Sequence, residues 1–155
     1  MKTQQLLIQD LRLPTAAELA PLAGIAPQLL LTFGSVEQLA QPGLLDVFRQ
    51  AFPGATLAVC STAGEIHGTT VVGNSLSLTA VHFDRVKVAG ATARIDSMEN
   101  SAACGETLGK ALAAADLRTV LLFGRGVAIN GSALVEGLIE AVGADVSISG
   151  GLAGD

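Results

Sequence analysis

Three apolar runs of strand length constrain the fold more than any other feature of this sequence. They are PQLLLTFGS (27–35), TLAVCSTAG (56–64) and TVLLFGRG (119–126). A membrane-spanning helix needs about 20 consecutive apolar residues, and each of these runs is broken sooner. Because 50% of the residues are hydrophobic and only 15% are charged, the composition excludes a disordered chain. The runs therefore predict buried β-strands.

Helical patterns lie before, between and after these runs. Capping patterns at Thr15, Asp96 and Asn130 each predict the start of a helix. The second of these helices is expected over residues 97–116, with Cys104 on its apolar face. Alternating helices and buried strands are typical of an α/β protein.

Two segments of alternating hydrophobicity, 75–83 and 85–93, predict an antiparallel hairpin that turns at Asp84. A last strand, VSIS, is expected at residues 146–149. The predicted fold class is therefore α/β, a mixed β-sheet with flanking helices that contains an antiparallel hairpin. We expect one domain over residues 1–155.

Charge and composition exclude several classes of partner. The net charge is −5, the nine basic residues are scattered, and the chain has no Trp or Tyr, so a nucleic-acid surface is not expected. The N-terminus lacks the pattern of a secretory signal, which predicts a cytoplasmic protein without a membrane segment. The two cysteines and two histidines show no zinc-ligand spacing, so we expect free thiols and no metal site. A small molecule or another protein is the expected partner.

The segment CSTAGEI (60–66) follows the second apolar run and has the ingredients of an anion-binding turn. It combines the hydroxyls of Ser61 and Thr62 with the backbone N–H groups near Gly64 and the carboxylate of Glu65. Gly64 can take a positive φ, as a tight turn at a strand end requires. The alternative is a structural turn whose hydroxyls bind their own backbone. Both interpretations remain open from the residues alone.

Cys60 is also a candidate nucleophile. Covalent catalysis would require a base within hydrogen-bond reach, and His67 is the nearest histidine in the sequence. A cysteine on a strand is more often a buried apolar residue. A cysteine-dependent hydrolase or transferase is therefore an alternative, and the expected protein is not an enzyme.

Three Gly-containing segments each follow a predicted strand, namely CSTAGEI, FGRG and GGLAGD. Ligands of α/β sheets gather at the carboxyl ends of strands, so these segments predict one site for a small polar or anionic ligand. Arg125 would supply positive charge, and Asn130 with Gly131 would cap a helix or present its N-terminus. The predicted ligand-contacting residues are Cys60, Ser61, Thr62, Gly64, Glu65, Arg125, Asn130, Gly131 and Gly151.

The motifs CSTAGEI (60–66), NGSALVEGL (130–138) and GGLAGD (150–155) together resemble the N-terminal domain of the FIST family. This resemblance implies a cytoplasmic sensory domain of signal transduction that binds small ligands such as amino acids. It also implies a signalling partner, such as a histidine kinase, a cyclic-dinucleotide enzyme or a chemotaxis receptor. One branch of the family binds haem and responds to nitric oxide, so the resemblance makes His82 and His67 candidates for haem ligands.

The chain departs from the family pattern in two places. The family usually continues into a second half, so we expect this chain to be incomplete relative to it. Arg125-Gly126 stands where the family commonly has an Asp-Gly pair, so a carboxylate role is lost there.

The sequence thus favours a non-enzymatic sensor of a small ligand. The alternatives are a haem-dependent nitric-oxide sensor, the cysteine-dependent enzyme, and an interaction or scaffold fragment that binds no ligand. An open sheet edge after the last strand predicts self-association as well.

Overall fold

The computed structural model of this protein describes residues 1–154, which contain eight strands and five α-helices. The strands are Lys2–Ile8 (β1), Leu29–Gly34 (β2), Thr56–Ser61 (β3), Glu65–His67 (β4), Thr70–Val72 (β5), Leu76–His82 (β6), Thr119–Gly124 (β7) and Ser147–Leu152 (β8). The α-helices are Ala16–Ala23 (α1), Val36–Leu39 (α2), Leu44–Ala51 (α3), Ser101–Leu112 (α4) and Gly131–Val142 (α5). A short 3₁₀ helix, Met98–Asn100, precedes α4. No helix in residues 1–154 is long and apolar enough to span a bilayer.

The chain forms two compact units. The first unit contains residues 1–88 together with Gly154, and the second unit contains residues 89–153. In the first unit, four strands form a mixed sheet in the order β1-β6-β2-β3. β2 and β3 are parallel, whereas β6 is antiparallel to both β1 and β2. β4 and β5 form a separate antiparallel hairpin.

The core of the first unit lies between one face of this sheet and the helices α1 and α3. Alternate residues of β2 and β6, including Leu30, Leu78 and Ala80, are fully buried on that face. Leu19 of α1 and Phe48 of α3 pack against them. Each side chain of this size contributes about 1.5–3 kcal/mol when it is fully buried, so this layer fixes the sheet.

Helix α1 begins at a complete capping box. Thr15 Oγ1 accepts a hydrogen bond from the N–H of Glu18, and the N–H of Thr15 donates to the Glu18 carboxylate. Arg12 donates to both oxygens of the same carboxylate, at 2.9 and 2.6 Å. The hydrogen bonds from Arg12 and then from Thr15 lower the pKa of Glu18 to about 2. The capping prediction at Thr15 is confirmed.

This lowered pKa makes part of the stability depend on pH. Above the ordinary pKa of 4.5, ionised Glu18 stabilises the fold, and this contribution is lost as the pH falls through about 2. We expect Glu18→Gln to be less stable than the wild type at pH 7, and the gap to shrink steadily between pH 4.5 and 2. Urea unfolding of both proteins at several pH values measures the gap. A gap that did not change with pH would contradict the role of the Glu18 charge.

The second unit pairs β7 with β8 in parallel and packs α4 against α5. Glycines bring the two helices into backbone contact. A Cβ on Gly105 would lie 2.0 Å from the carbonyl oxygen of Leu134, and one on Gly137 would lie 2.1 Å from that of Ala102. Since real Cβ atoms do not approach a backbone oxygen so closely, only glycine fits at these two positions.

The predicted fold class is confirmed, because the structure is α/β with a mixed sheet, flanking helices and an antiparallel hairpin. The predicted place of the hairpin is wrong. Residues 85–93 form no strand, and the hairpin is β4–β5. The strand β6 pairs instead with β1 and β2, and a strand has only two edges to pair. The strand β1 was not predicted.

The prediction for the long helix is partly wrong. The segment 97–116 contains the 3₁₀ turn and then α4, which ends at Leu112. The buried face of α4 carries Ser101, Gly105 and Gly109 rather than the predicted apolar stripe. Cys104, which was expected in the core, is only half-buried.

Candidate functional site

The turn within CSTAGEI joins strand ends of the first unit. β3 ends at Ser61, and the N–H of Thr62 donates to the carbonyl of Gly34, the last residue of β2, at 3.0 Å. The carbonyl of Ser61 accepts a hydrogen bond of 2.9 Å from the N–H of Gly154. Gly154 of the GGLAGD motif therefore contacts the CSTAGEI turn at this point.

Glu65 stands at the centre of this turn and is 1% exposed. Its Oε1 accepts a hydrogen bond of 2.8 Å from Thr62 Oγ1. Its Oε2 accepts two more, from the N–H of Ser75 at 3.1 Å and from Ser75 Oγ at 2.6 Å. The carboxylate thus holds the turn to the start of β6. A direct contact of Glu65 with a ligand stays a prediction.

The polar groups that remain available in the turn are few. Within residues 1–154, the hydroxyl of Ser61 and the N–H groups of Ala63 and Gly64 make no hydrogen bond. The expected positive φ of Gly64 is wrong, because the glycines with positive φ lie elsewhere in the chain. The turn forms without a left-handed residue. Its three donors without a partner in residues 1–154 fit the anion-binding interpretation as well as a solvated turn.

Cys60 is buried on β3, with 8% of its surface exposed. Its thiol donates to the carbonyl of Ser61 at 3.5 Å. Burial raises the pKa of this thiol, so a smaller fraction of it is ionised to the thiolate than in a free cysteine. Among residues 1–154, no side chain forms a hydrogen bond with Cys60 as a base would.

The buried thiol makes Cys60 slow to alkylate. In a Cys104→Ser variant at pH 7.5, we expect iodoacetamide to modify native Cys60 at least about tenfold more slowly than in urea, because burial limits both access and ionisation. The native rate should still rise above pH 9. Mass spectrometry of timed samples measures both rates. A native rate that levelled off below pH 8 would instead indicate an activated nucleophile.

The second unit contains a cavity of about 330 Å³ at the carboxyl end of β7, which we name the β7 cavity. Its walls come from the end of β7, from α4, from the segment before α4, and from the start of α5. The lining residues are Ala93, Arg94, Ile95, Cys104, Leu108, Leu122, Phe123, Gly124, Arg125, Ile129 and Leu134. Among residues 1–154, the lining side chains are apolar except for those of two arginines and one cysteine.

The two arginines of the β7 cavity differ in their partners. Arg94 forms an ion pair with Asp96, with 3.1 Å between Nε and Oδ1, and both side chains are highly exposed. Arg125 forms no ion pair with any residue in the range 1–154. Ile129 and Leu134 flank the first turn of α5, so the positive end of this helix dipole also lies at the cavity. The electrostatics of the cavity favour an anion.

The remaining predicted residues of the second unit support its structure. Asn130 caps α5, because its Oδ1 accepts from the N–H of Ala133 at 3.1 Å, and its own N–H donates to Ser101 Oγ at 2.9 Å. The capping prediction at Asn130 is thus confirmed. Gly131 is the first residue of α5, and Gly151 is exposed on β8. Neither of these glycines lines the β7 cavity.

The predicted site residues fall into two sets. Cys60, Ser61, Thr62, Gly64 and Glu65 belong to the first unit, and Arg125, Asn130, Gly131 and Gly151 belong to the second unit.

Both histidines lie in the first unit. Nδ1 of His82 is 2.9 Å from the carbonyl oxygen of Ala26, and Nδ1 of His67 is buried without a hydrogen-bond partner in the described chain. No cluster of three or more metal-ligating side chains occurs among residues 1–154. Neither histidine lines the β7 cavity.

The sequence did not point to Ser75 or to the walls of the β7 cavity. Ser75 lies ten positions after Glu65, across the β4–β5 hairpin, so no local pattern links the two. Cys104 was assigned to a core stripe, and its spacing with Leu108 on α4 was the only signal for a cavity wall.

The three sequence motifs agree with a comparison of the chain with known families. The FIST N domain family matches residues 28–155, which is most of the chain. No curated protein matches the sequence significantly. The chain therefore belongs to the FIST N domain family, a sensory family of signal transduction.

Proposed function

We propose that this protein is a cytoplasmic ligand-sensing domain that binds a small carboxylate-bearing molecule, such as an amino acid, in the β7 cavity. It passes the bound state to a signalling partner, such as a histidine kinase, a cyclic-dinucleotide enzyme or a chemotaxis receptor. The observation that carries this proposal is Arg125, a cation without an ion-pair partner in residues 1–154, at the wall of a cavity whose lining side chains are mainly aliphatic. Membership in a sensory family supports the signalling role.

The cavity has the size and chemistry of a small-molecule site. Its volume of about 330 Å³ lies at the lower end of the usual range for ligand pockets. A guanidinium binds a carboxylate through two parallel N–H···O bonds, which fixes the orientation of the ligand as well as its charge. The dipole of α5 adds to this attraction. Apolar side chains around Leu108 and Leu134 would cover the rest of the ligand.

Binding without catalysis is part of the proposal. Cys60 has a raised pKa and lacks a base partner among residues 1–154, which speaks against the cysteine-dependent enzyme. A haem-binding function would require a histidine at an apolar pocket, and no histidine lines the β7 cavity. A scaffold fragment would bind no small molecule, so a binding experiment separates it from a sensor.

The test is a thermal-shift series with amino acids and small organic acids. A ligand at about 100 times its dissociation constant stabilises the fold by about 2.7 kcal/mol, which corresponds to a rise of about 5–10 °C in Tm for a chain of this size. We expect this rise in the wild type and its loss in Arg125→Gln. Arg118→Gln is the matched control, because it removes the same charge from the second unit outside the cavity.

Two outcomes would contradict the proposal. One is that no acid in the series raises Tm. The other is an equal rise in the wild type and in Arg125→Gln, which would place the ligand elsewhere.

A further inference from the structure

We infer that the preferred ligand of the β7 cavity is a carboxylic acid with an apolar tail and without an α-ammonium group. This inference rests on the proposed function and names the ligand class of the same site. It distinguishes a plain carboxylic acid from the amino acid of the same carbon skeleton.

The charges at the cavity carry the first step. Two arginines line the β7 cavity, and none of the other lining residues in the described range 1–154 carries a carboxylate. Asp96, the ion-pair partner of Arg94, is highly exposed and is not a lining residue of the cavity. The carboxylate of a ligand would therefore meet Arg125, whereas an ammonium group would meet only like charges.

The hydrogen-bond acceptors give the second step. An ammonium group has three donors, and each of them needs an acceptor when it leaves water. The carbonyl of Gly124 already accepts a hydrogen bond of 2.7 Å from the N–H of Ala153. The lining side chains other than the arginines are apolar or, in Cys104, a weakly polar thiol. Among residues 1–154, no lining side chain other than this thiol could accept a hydrogen bond from the ammonium of an amino acid, so the ammonium would exchange its hydration for backbone carbonyls at most.

The walls give the third step. Leu108, Leu122, Ile129 and Leu134 contribute branched aliphatic side chains to the cavity. Each methylene of a ligand that is buried against such a surface raises the affinity by about fourfold. At about 30 Å³ for each water-sized group, a cavity of 330 Å³ holds roughly ten non-hydrogen atoms. This size fits a carboxylic acid with an aliphatic tail of about four to seven carbons.

The experiment compares three compounds with the same branched tail by isothermal titration calorimetry of the whole chain. 4-Methylpentanoate has the carboxylate alone, L-leucine adds the α-ammonium, and 3-methylbutylamine has an ammonium and no carboxylate. We expect 4-methylpentanoate to bind at least tenfold more tightly than L-leucine, and the amine to show no binding. In a series from propanoate to heptanoate, the affinity should rise by about fourfold for each carbon until the cavity is full.

Variants locate the binding. Arg125→Gln should weaken 4-methylpentanoate at least tenfold, and Arg118→Gln should leave its affinity unchanged. Cys104→Phe fills the cavity and should abolish binding, with circular dichroism and Tm showing that this variant is folded.

The outcomes distinguish a failure of the inferred ligand class from a failure of the proposed function. Tighter binding of L-leucine than of 4-methylpentanoate overturns the inference and leaves the proposed function intact. Absence of binding by all acids and amino acids overturns both. Binding of 4-methylpentanoate that survives Arg125→Gln and Cys104→Phe overturns the assignment to the β7 cavity.

Discussion

Replacing Gly105 with alanine is expected to lower the free energy of unfolding by about 3 kcal/mol. The new Cβ would lie 2.0 Å from the carbonyl oxygen of Leu134 and 2.8 Å from the backbone nitrogen of Leu138. Neither atom can move by a side-chain rotation, so α4 and α5 must separate. Their contact supplies the largest part of the packing in the second unit, and its loss sets the size of the effect.

The sign of the change in unfolding free energy shows whether tertiary packing or helix propensity dominates at Gly105. Alanine is favoured over glycine in a helix by about 1 kcal/mol, so propensity alone predicts that Gly105→Ala is more stable. Urea unfolding measures the difference. The control is Gly131→Ala on α5, where the added Cβ would make only an ordinary contact of 3.9 Å with Leu152. This control should change stability by less than about 0.5 kcal/mol. A stabilised Gly105→Ala would show that the helices accommodate the methyl group without strain.

Replacing Glu65 with alanine is expected to cost about 4 kcal/mol of stability. The substitution removes three hydrogen bonds. It leaves the N–H of Ser75, a residue with no exposed surface, without its acceptor, and it leaves Ser75 Oγ only a long hydrogen bond of 3.4 Å to the carbonyl of Val72. Thr62 loses its partner at the same time, so the turn is released from the start of β6. Chemical unfolding monitored by circular dichroism gives the magnitude.

Glu65→Gln separates the charge of the Glu65 carboxylate from its hydrogen bonds. The amide oxygen can accept from Ser75 and the amide nitrogen can donate to Thr62 Oγ1, so we expect a cost of about 1–2 kcal/mol. Glu37→Ala, an exposed substitution on α2, is the surface control and should change stability by less than about 0.5 kcal/mol. If the glutamine variant were as unstable as the alanine variant, the charge of Glu65 would matter more than its hydrogen bonds.

The strands β2, β3 and β7 could be predicted because each is a short apolar run whose burial is evident from composition. The strand β1 could not, since residues 2–5 are polar and exposed at the edge of the sheet and show no hydrophobic alternation. The segment 85–93 does alternate and still forms no strand. Both edges of β6 are already paired, with β1 and with β2, and this pairing joins segments far apart in the chain.

The residues of the candidate site were also predicted only in part. Arg125 was predicted to supply positive charge, and it lies at the wall of the β7 cavity without an ion-pair partner in the described chain. Cys104 was predicted as core, although it also lines that cavity. Glu65 was predicted as a ligand contact, and its fixed partners in this structure are Thr62 and Ser75. The sequence pattern identified residues with reactive or charged side chains, but it did not identify their partners in the fold.

The sequence by itself determined the features that depend on neighbours a few positions away. These are the caps at Thr15 and Asn130, the apolar strands, and the motifs that identify the FIST N domain family. Only the tertiary structure decided which strands flank β6, why Gly105 must be glycine, and that Ser75 completes the bonding of Glu65. Each of these contacts joins residues distant in the chain, and the free energy of such a contact depends on the geometry that the whole fold imposes.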